Sequence, residues 1–111
     1  MENLSIGQVV LATFPFSDLT SKKLRPCFIV GIAELDDVVL CQITSQRYES
    51  KRALALLPID FKRGSIARES FIRPDKLATL DKGTIKQVLG FVTDAKLKEV
   101  KQELKDFFEI A

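Results

Sequence analysis

The stretch "SFIRPDKLATLD", Ser70 to Asp81, decides how this chain of 111 residues is read. It opens as a β-strand and then carries Arg73, Asp75 and Lys76 around Pro74. A strand that only builds a core rarely holds so much charge. Alternation along a strand puts Arg73 and Asp75 on one face and Pro74 on the other. Side by side, an arginine and a carboxylate form either a structural ion pair or a phosphate clamp with a general base. A neighbouring arginine lowers a carboxylate pKa and weakens it as a base unless burial pushes back. The residues alone leave both readings open.

Working outward, the segments before this stretch also read as strands. "QVVLATFPF" (8–16) alternates loosely and ends near Pro15, which suits a strand end or an edge. "RPCFIVGIAEL" (25–35) and "DDVVLCQITS" (36–45) flank a tight turn at Leu35 to Asp37, predicting a hairpin. "RALALLPID" (52–60) is a fourth strand and Ser70 onward a fifth. Short strands between polar turns point to a small, strongly curved antiparallel β-barrel. The last thirty residues change period. "DKGTIKQVLG" (81–90) reads as a short helix stopped by Gly90. In "TDAKLKEVKQELKDFFEI" (93–110), Leu97, Val100, Leu104 and Phe107 or Phe108 recur at helical spacing. Thr93 is the expected N-cap, and Asp94 with Lys98 a favourable i,i+4 pair. The expectation is one domain over 1–111, mainly β, with the barrel over about 5–81 and a C-terminal helical part over about 82–110.

A hydrophobic fraction of 46% beside 29% charged residues fits a folded globular chain, not a disordered one. No apolar run approaches the ~20 residues of a membrane span, and "MENLSIGQ" lacks the look of a secretory signal. A cytoplasmic protein with no membrane partner is therefore expected, with Cys27 and Cys41 as buried free thiols. The net charge of +2 is small, but its distribution is uneven. From Arg47 to Lys76 there are eight Lys/Arg against four Asp/Glu, and Lys22, Lys23 and Arg25 form a second cluster. A basic patch and an ordinary solvated surface both fit that count.

Absences narrow the chemistry. Without histidine there is no His-based acid–base pair, Ser-His-Asp triad or His-liganded metal. The cysteines form no CxxC, and the glycines form no phosphate loop. No cofactor and no metal are expected. Two polar sites join the opening stretch. "SDLTSKKLRP" (17–26) ends in Arg25 at a strand mouth, where its guanidinium can grip a phosphate or simply close a surface ion pair. "QITSQR" (42–47) ends a buried strand in Thr44, Ser45 and Gln46, which can orient a phosphate oxygen or merely build a turn.

In order and spacing, "GQVVLATFPF", "LRPCFIVG", "QITSQ" and "FIRPDKLATLD", followed by an amphipathic helix, resemble the PemK/MazF family of toxin endoribonucleases. The resemblance runs from Gly7 to about Leu104. It implies an SH3-like curved barrel, a homodimer, metal-independent cleavage of single-stranded RNA, and a cognate antitoxin whose acidic tail covers the RNA groove. DNA binding would come with that antitoxin. The family's "RP" arginine falls on Arg25, its threonine on Thr44, and the arginine–aspartate pair of one branch on Arg73 and Asp75. The chain departs from the family in the loop before Arg25, where Lys-rich "TSKKL" stands in place of a glycine-rich segment with Glu or His.

The implied chemistry is transesterification. The ribose 2′-OH attacks the adjacent phosphate, leaving a 2′,3′-cyclic phosphate and a 5′-OH. Asp75 is the expected base, Arg25 and Arg73 the phosphate clamp, and Thr44 a hydrogen-bonding group. Lys22, Lys23, Arg47, Lys51 and Arg52 are expected along RNA phosphates, with Ser17, Ser45 and Gln46 as polar contacts and Phe16 or Tyr48 stacking a base. Two other readings compete. One is a binding module of the same fold acting on a protein such as gyrase, and the other a catalytically inactive homologue that holds RNA or antitoxin.

Overall fold

The computed structural model of the chain describes residues 3–13, 23–46 and 51–110. Among these, seven strands and one helix are formed: β1 (Gln8–Ala12), β2 (Arg25–Ile32), β3 (Asp37–Thr44), β4 (Leu54–Leu56), β5 (Phe61–Gly64), β6 (Ser70–Asp81), β7 (Ile85–Val92) and α1 (Asp94–Phe108). The strands pair antiparallel in the order β4-β6-β3-β2-β1-β7-β5, a sheet that curls into a half-barrel. The expected β2–β3 hairpin is present, with Leu35 and Asp36 at positive φ in its turn.

The alternation of each strand sorts its apolar residues onto two faces. On one face Val9, Phe28, Cys41, Ile43 and Ile72 pack with Val100 of α1, joined by Leu97 and Leu104. On the other lie Val10, Ala12, Cys27, Ile29, Leu40 and Ile85. The apolar stripe predicted for α1 is therefore the one that meets the sheet, although Phe108 stays exposed. Thr93 caps the helix as expected, its Oγ1 accepting from Lys96 N at 3.2 Å. Asp94 takes Lys62 of β5 as its ion-pair partner, at 3.1 Å, instead of Lys98.

Two sequence expectations fail here. Residues 82–90 are not a helix: a 3-10 turn over Lys82–Thr84 leads straight into β7. The helix-like spacing has a clear cause. The β1–β7 register shifts between Val9 and Val10 and again between Leu11 and Ala12. Such irregularities break the two-residue alternation, so Ile85 and Val88 join one face while Leu89 and Val92 join the other. Gly90 is no helix stop; a Cβ there would stand 2.6 Å from the Arg63 carbonyl oxygen, so it permits close approach of β5. The second miss is β5 itself, a mostly exposed edge strand whose "FKRG" shows no apolar alternation.

Candidate active site

The charge in the opening stretch is explained by a bulge. β6 pairs Leu77 with Cys41 and Arg73 with Gln42, consecutive residues of β3. Pro74, Asp75 and Lys76 are thus extra residues of β6 that the register with β3 skips. Pro74 has no N–H to lose and is buried, which suits such a position. The bulge re-aims the flanking side chains. Arg73 Nε and Nη2 donate to Asp75 Oδ1 and Oδ2 at 3.2 and 3.1 Å, a two-pronged pair with both side chains about one-fifth exposed. The hydrogen bonds from Arg73 hold the Asp75 carboxyl below its ordinary pKa, outweighing a burial contribution in the opposite sense; the charge of Arg52 adds to the lowering.

Residues directly opposite in an antiparallel pair share a face. Ala12 opposes Arg25, and Val10 opposes Cys27, so Arg25 lies on the face away from α1. Cys27 opposes Gln42, and Gln42 opposes Arg73. Thr44, two residues beyond Gln42 on β3, lines the same cavity as Arg25, with Phe71 opposite Thr44 on β6. Four groups from three strands are therefore gathered here: Arg25, Thr44 and Gln42 on one cavity wall, and Arg73 opposite Gln42. Asp75 is tied to this group through Arg73.

Each group arrives in a distinct state. Arg25 is exposed at the first position of β2. Thr44 is 9% exposed, and its Oγ1 accepts from Gln46 N at 3.1 Å, which leaves the hydroxyl proton to donate. That cavity, of about 570 Å³, is lined by Arg25, Thr44, Ser45 and Gln46 together with the segment Ser65 to Arg68. Arg73 and Asp75 are not among its lining residues. Lys23 and Lys51 are exposed. Arg52 is turned toward the helix, where it pairs with Glu103 at 3.3 Å and lies 5.3 Å from the Phe107 ring centroid. Phe16, Ser17, Lys22, Arg47 and Tyr48 lie outside the described residues.

Neither cysteine is built as a nucleophile. Both are buried and free, with the Cys27 thiol pushed up to about 12 by burial and Cys41 raised for the same principal reason. Among the described residues no group of three or more His, Cys, Asp or Glu is arranged to hold a metal ion, and no helix is long and apolar enough to cross a membrane.

A sequence model of the PemK-like, MazF-like toxins of type II toxin–antitoxin systems matches residues 5–108. The chain belongs to this family. Solved structures agree in fold. A mycobacterial endoribonuclease in complex with its cognate antitoxin is 21% identical, with 98% of both chains covered and a TM-score of 0.77. A second mycobacterial endoribonuclease is 24% identical over 96% of this chain and 93% of its own, with a TM-score of 0.70. The MazF of a MazE–MazF pair from Deinococcus radiodurans gives 18% identity, 97% coverage of both chains and a TM-score of 0.73. No curated protein matches the sequence significantly.

Within this PemK/MazF-like site the sequence reasoning passed over Gln42 and Arg68. Gln42 is 6% exposed, with its side-chain oxygen buried and unpartnered, and it also contributes to the cavity wall. A polar residue between Cys41 and Ile43 in a buried strand was the available signal. Arg68 lines the cavity from the loop before β6, and only its membership of the basic cluster pointed to it.

Proposed function

We propose that this PemK/MazF-like toxin is a metal-independent endoribonuclease that cuts single-stranded RNA by attack of the ribose 2′-OH on the adjacent phosphate. The products are a 2′,3′-cyclic phosphate and a 5′-OH. The observation that supports the reading is that Arg25, Thr44 and Gln42 line one cavity, with Arg73 opposite Gln42 and paired to Asp75, in a sheet of this family. The nucleophile belongs to the substrate, so the protein has three tasks: hold the backbone in line, take a proton and stabilise charge on phosphorus. Arg25 and Arg73 clamp the phosphate, Thr44 donates to a non-bridging oxygen, Asp75 takes the 2′ proton, and the departing 5′ oxygen takes a proton from water. A guanidinium does not give up its proton at neutral pH, so both arginines act electrostatically. Lys23 and Lys51, both exposed, suit phosphates beyond the scissile one. The protein acts in the cytoplasm as a homodimer held in check by a cognate antitoxin.

The test is incubation of the purified protein with a long single-stranded RNA in EDTA, followed by end-group analysis. Discrete fragments ending in 2′,3′-cyclic phosphate, with DNA of the same sequence left uncut, are expected. Intact RNA, or cutting of the DNA, sinks the proposal; intact RNA that remains bound points instead to a binding module.

A further inference from the structure

Gln42 presents an acceptor with no donor. Its Oε1 is buried among the strands and unpartnered, an arrangement that is costly and rare in native proteins. The atom is buried, so the protein donors to consider are those of its cross-strand neighbours. One cross-strand neighbour, Cys27, directs its thiol to the Arg25 carbonyl at 3.5 Å. The other is Arg73. Opposed residues of an antiparallel pair have Cβ atoms about 4.5–5.5 Å apart, well within reach of a carboxamide and a guanidinium. Arg73 has five N–H donors, and the pair with Asp75 engages its Nε and Nη2.

We infer that Gln42 is a positioning residue with which Arg73 exchanges partners: when a substrate phosphate enters, the guanidinium leaves Asp75, donates to Gln42 Oε1 and turns its remaining donors to the phosphate. This rests on the reading of Arg73 and Asp75 given above. Only hydrogen bonds are exchanged, and no covalent bond is made or broken. The exchange resolves a conflict in the resting geometry. A carboxylate gripped at both oxygens is a weak base, and the guanidinium that grips it has its Nε and Nη2 committed to that carboxylate. A neutral acceptor holds the arginine in place without cancelling the charge that the phosphate needs.

The experiment measures initial rates of RNA cleavage across substrate concentrations, and melting temperature, for the full chain and for Gln42→Leu, each with Arg73 intact and as Arg73→Lys. The leucine removes an unpaired acceptor, so the melting temperature holds or rises. With Arg73 intact, kcat falls about tenfold or more while KM stays within about twofold. In the Arg73→Lys background, which lacks the forked donor, the same change lowers kcat by less than about twofold. Unchanged kcat, a loss confined to KM, or equal losses in both backgrounds overturns the inference. Should the leucine variant not fold, Gln42→Met is judged by the same criteria. Failure of the unsubstituted protein to cut RNA defeats the ribonuclease reading itself, a result visible before any Gln42 variant is compared.

Discussion

Cys41 and Gln42 are consecutive on β3 yet belong to different halves of the molecule. Cys41, with Ile43 and Ile72, lies in the apolar layer closed by Val100 of α1. Gln42 faces the other way, between Cys27 and Arg73 and on the same cavity wall as Arg25 and Thr44. The first face is finished: its side chains are apolar and have packed partners. The second is apolar too along Val10, Cys27, Ile29 and Leu40. Toward the end of β3, however, it holds an exposed arginine and an unpartnered acceptor, beside an arginine locked to a carboxylate. The difference is local: at the end of β3 one face stays core while the other turns from core at Leu40 to polar groups at Gln42 and Thr44.

The strongest way to break that separation is Arg25→Ala. Removing one preorganised donor to a developing charge lowers the rate by about 10²–10³. Arg25 is exposed at a strand end, so the melting temperature should fall little. Initial rates on single-stranded RNA together with a thermal melt check this. Normal cleavage by the folded variant removes Arg25 from the mechanism, and a collapse of the melt makes it structural. Ile72→Ala asks the reverse question from the residue next to Arg73. Truncating a fully buried isoleucine costs about 2–5 kcal/mol, read by urea unfolding. If the faces are separable, the molecules that remain folded cut RNA at close to the original rate. A rate loss like that of Arg25→Ala would show that packing under the helix sets the geometry of the bulge.

How far the sequence foretold these two faces depends on what each is made of. The packed face was legible because burial imposes periodicity: β2, β3 and α1 all announce themselves through spacing of Phe, Ile, Val and Leu. β7 was misread because register shifts gave it the spacing of a helix, and β5 because an exposed edge strand has little pattern to show. At the site, the side-by-side placement of Arg73 and Asp75 followed from alternation alone. That they grip each other, and that three residues bulge out to let them, depends on pairing with β3, which no local pattern encodes. Gln42 was missed for the same reason. A lone polar residue in a strand is unremarkable until the atoms around it are known.

The smallest effect concerns the Arg73–Asp75 pair, and it tests whether the open face adds to stability at all. Arg73 holds the Asp75 pKa in the folded protein below its ordinary value of 3.8. A depressed carboxylate stabilises the fold at pH values above the unfolded pKa, and the contribution fades as pH falls through the folded one. Asp75→Asn keeps the shape and removes the titration. The parent should therefore be the more stable at neutral pH, by no more than about 1 kcal/mol for a pair that still meets solvent. That advantage should shrink once the pH drops below about 4. Melts of both proteins from pH 7 to pH 3 give the answer. A gap that widens on acidification reverses the sign and means the pair is not closed in solution. A gap of several kcal/mol at neutral pH would make the pair a structural clasp. The expected small gap, with cleavage lost in Asp75→Asn across the range, leaves chemistry as the reason for placing a charged bulge in the middle of a strand.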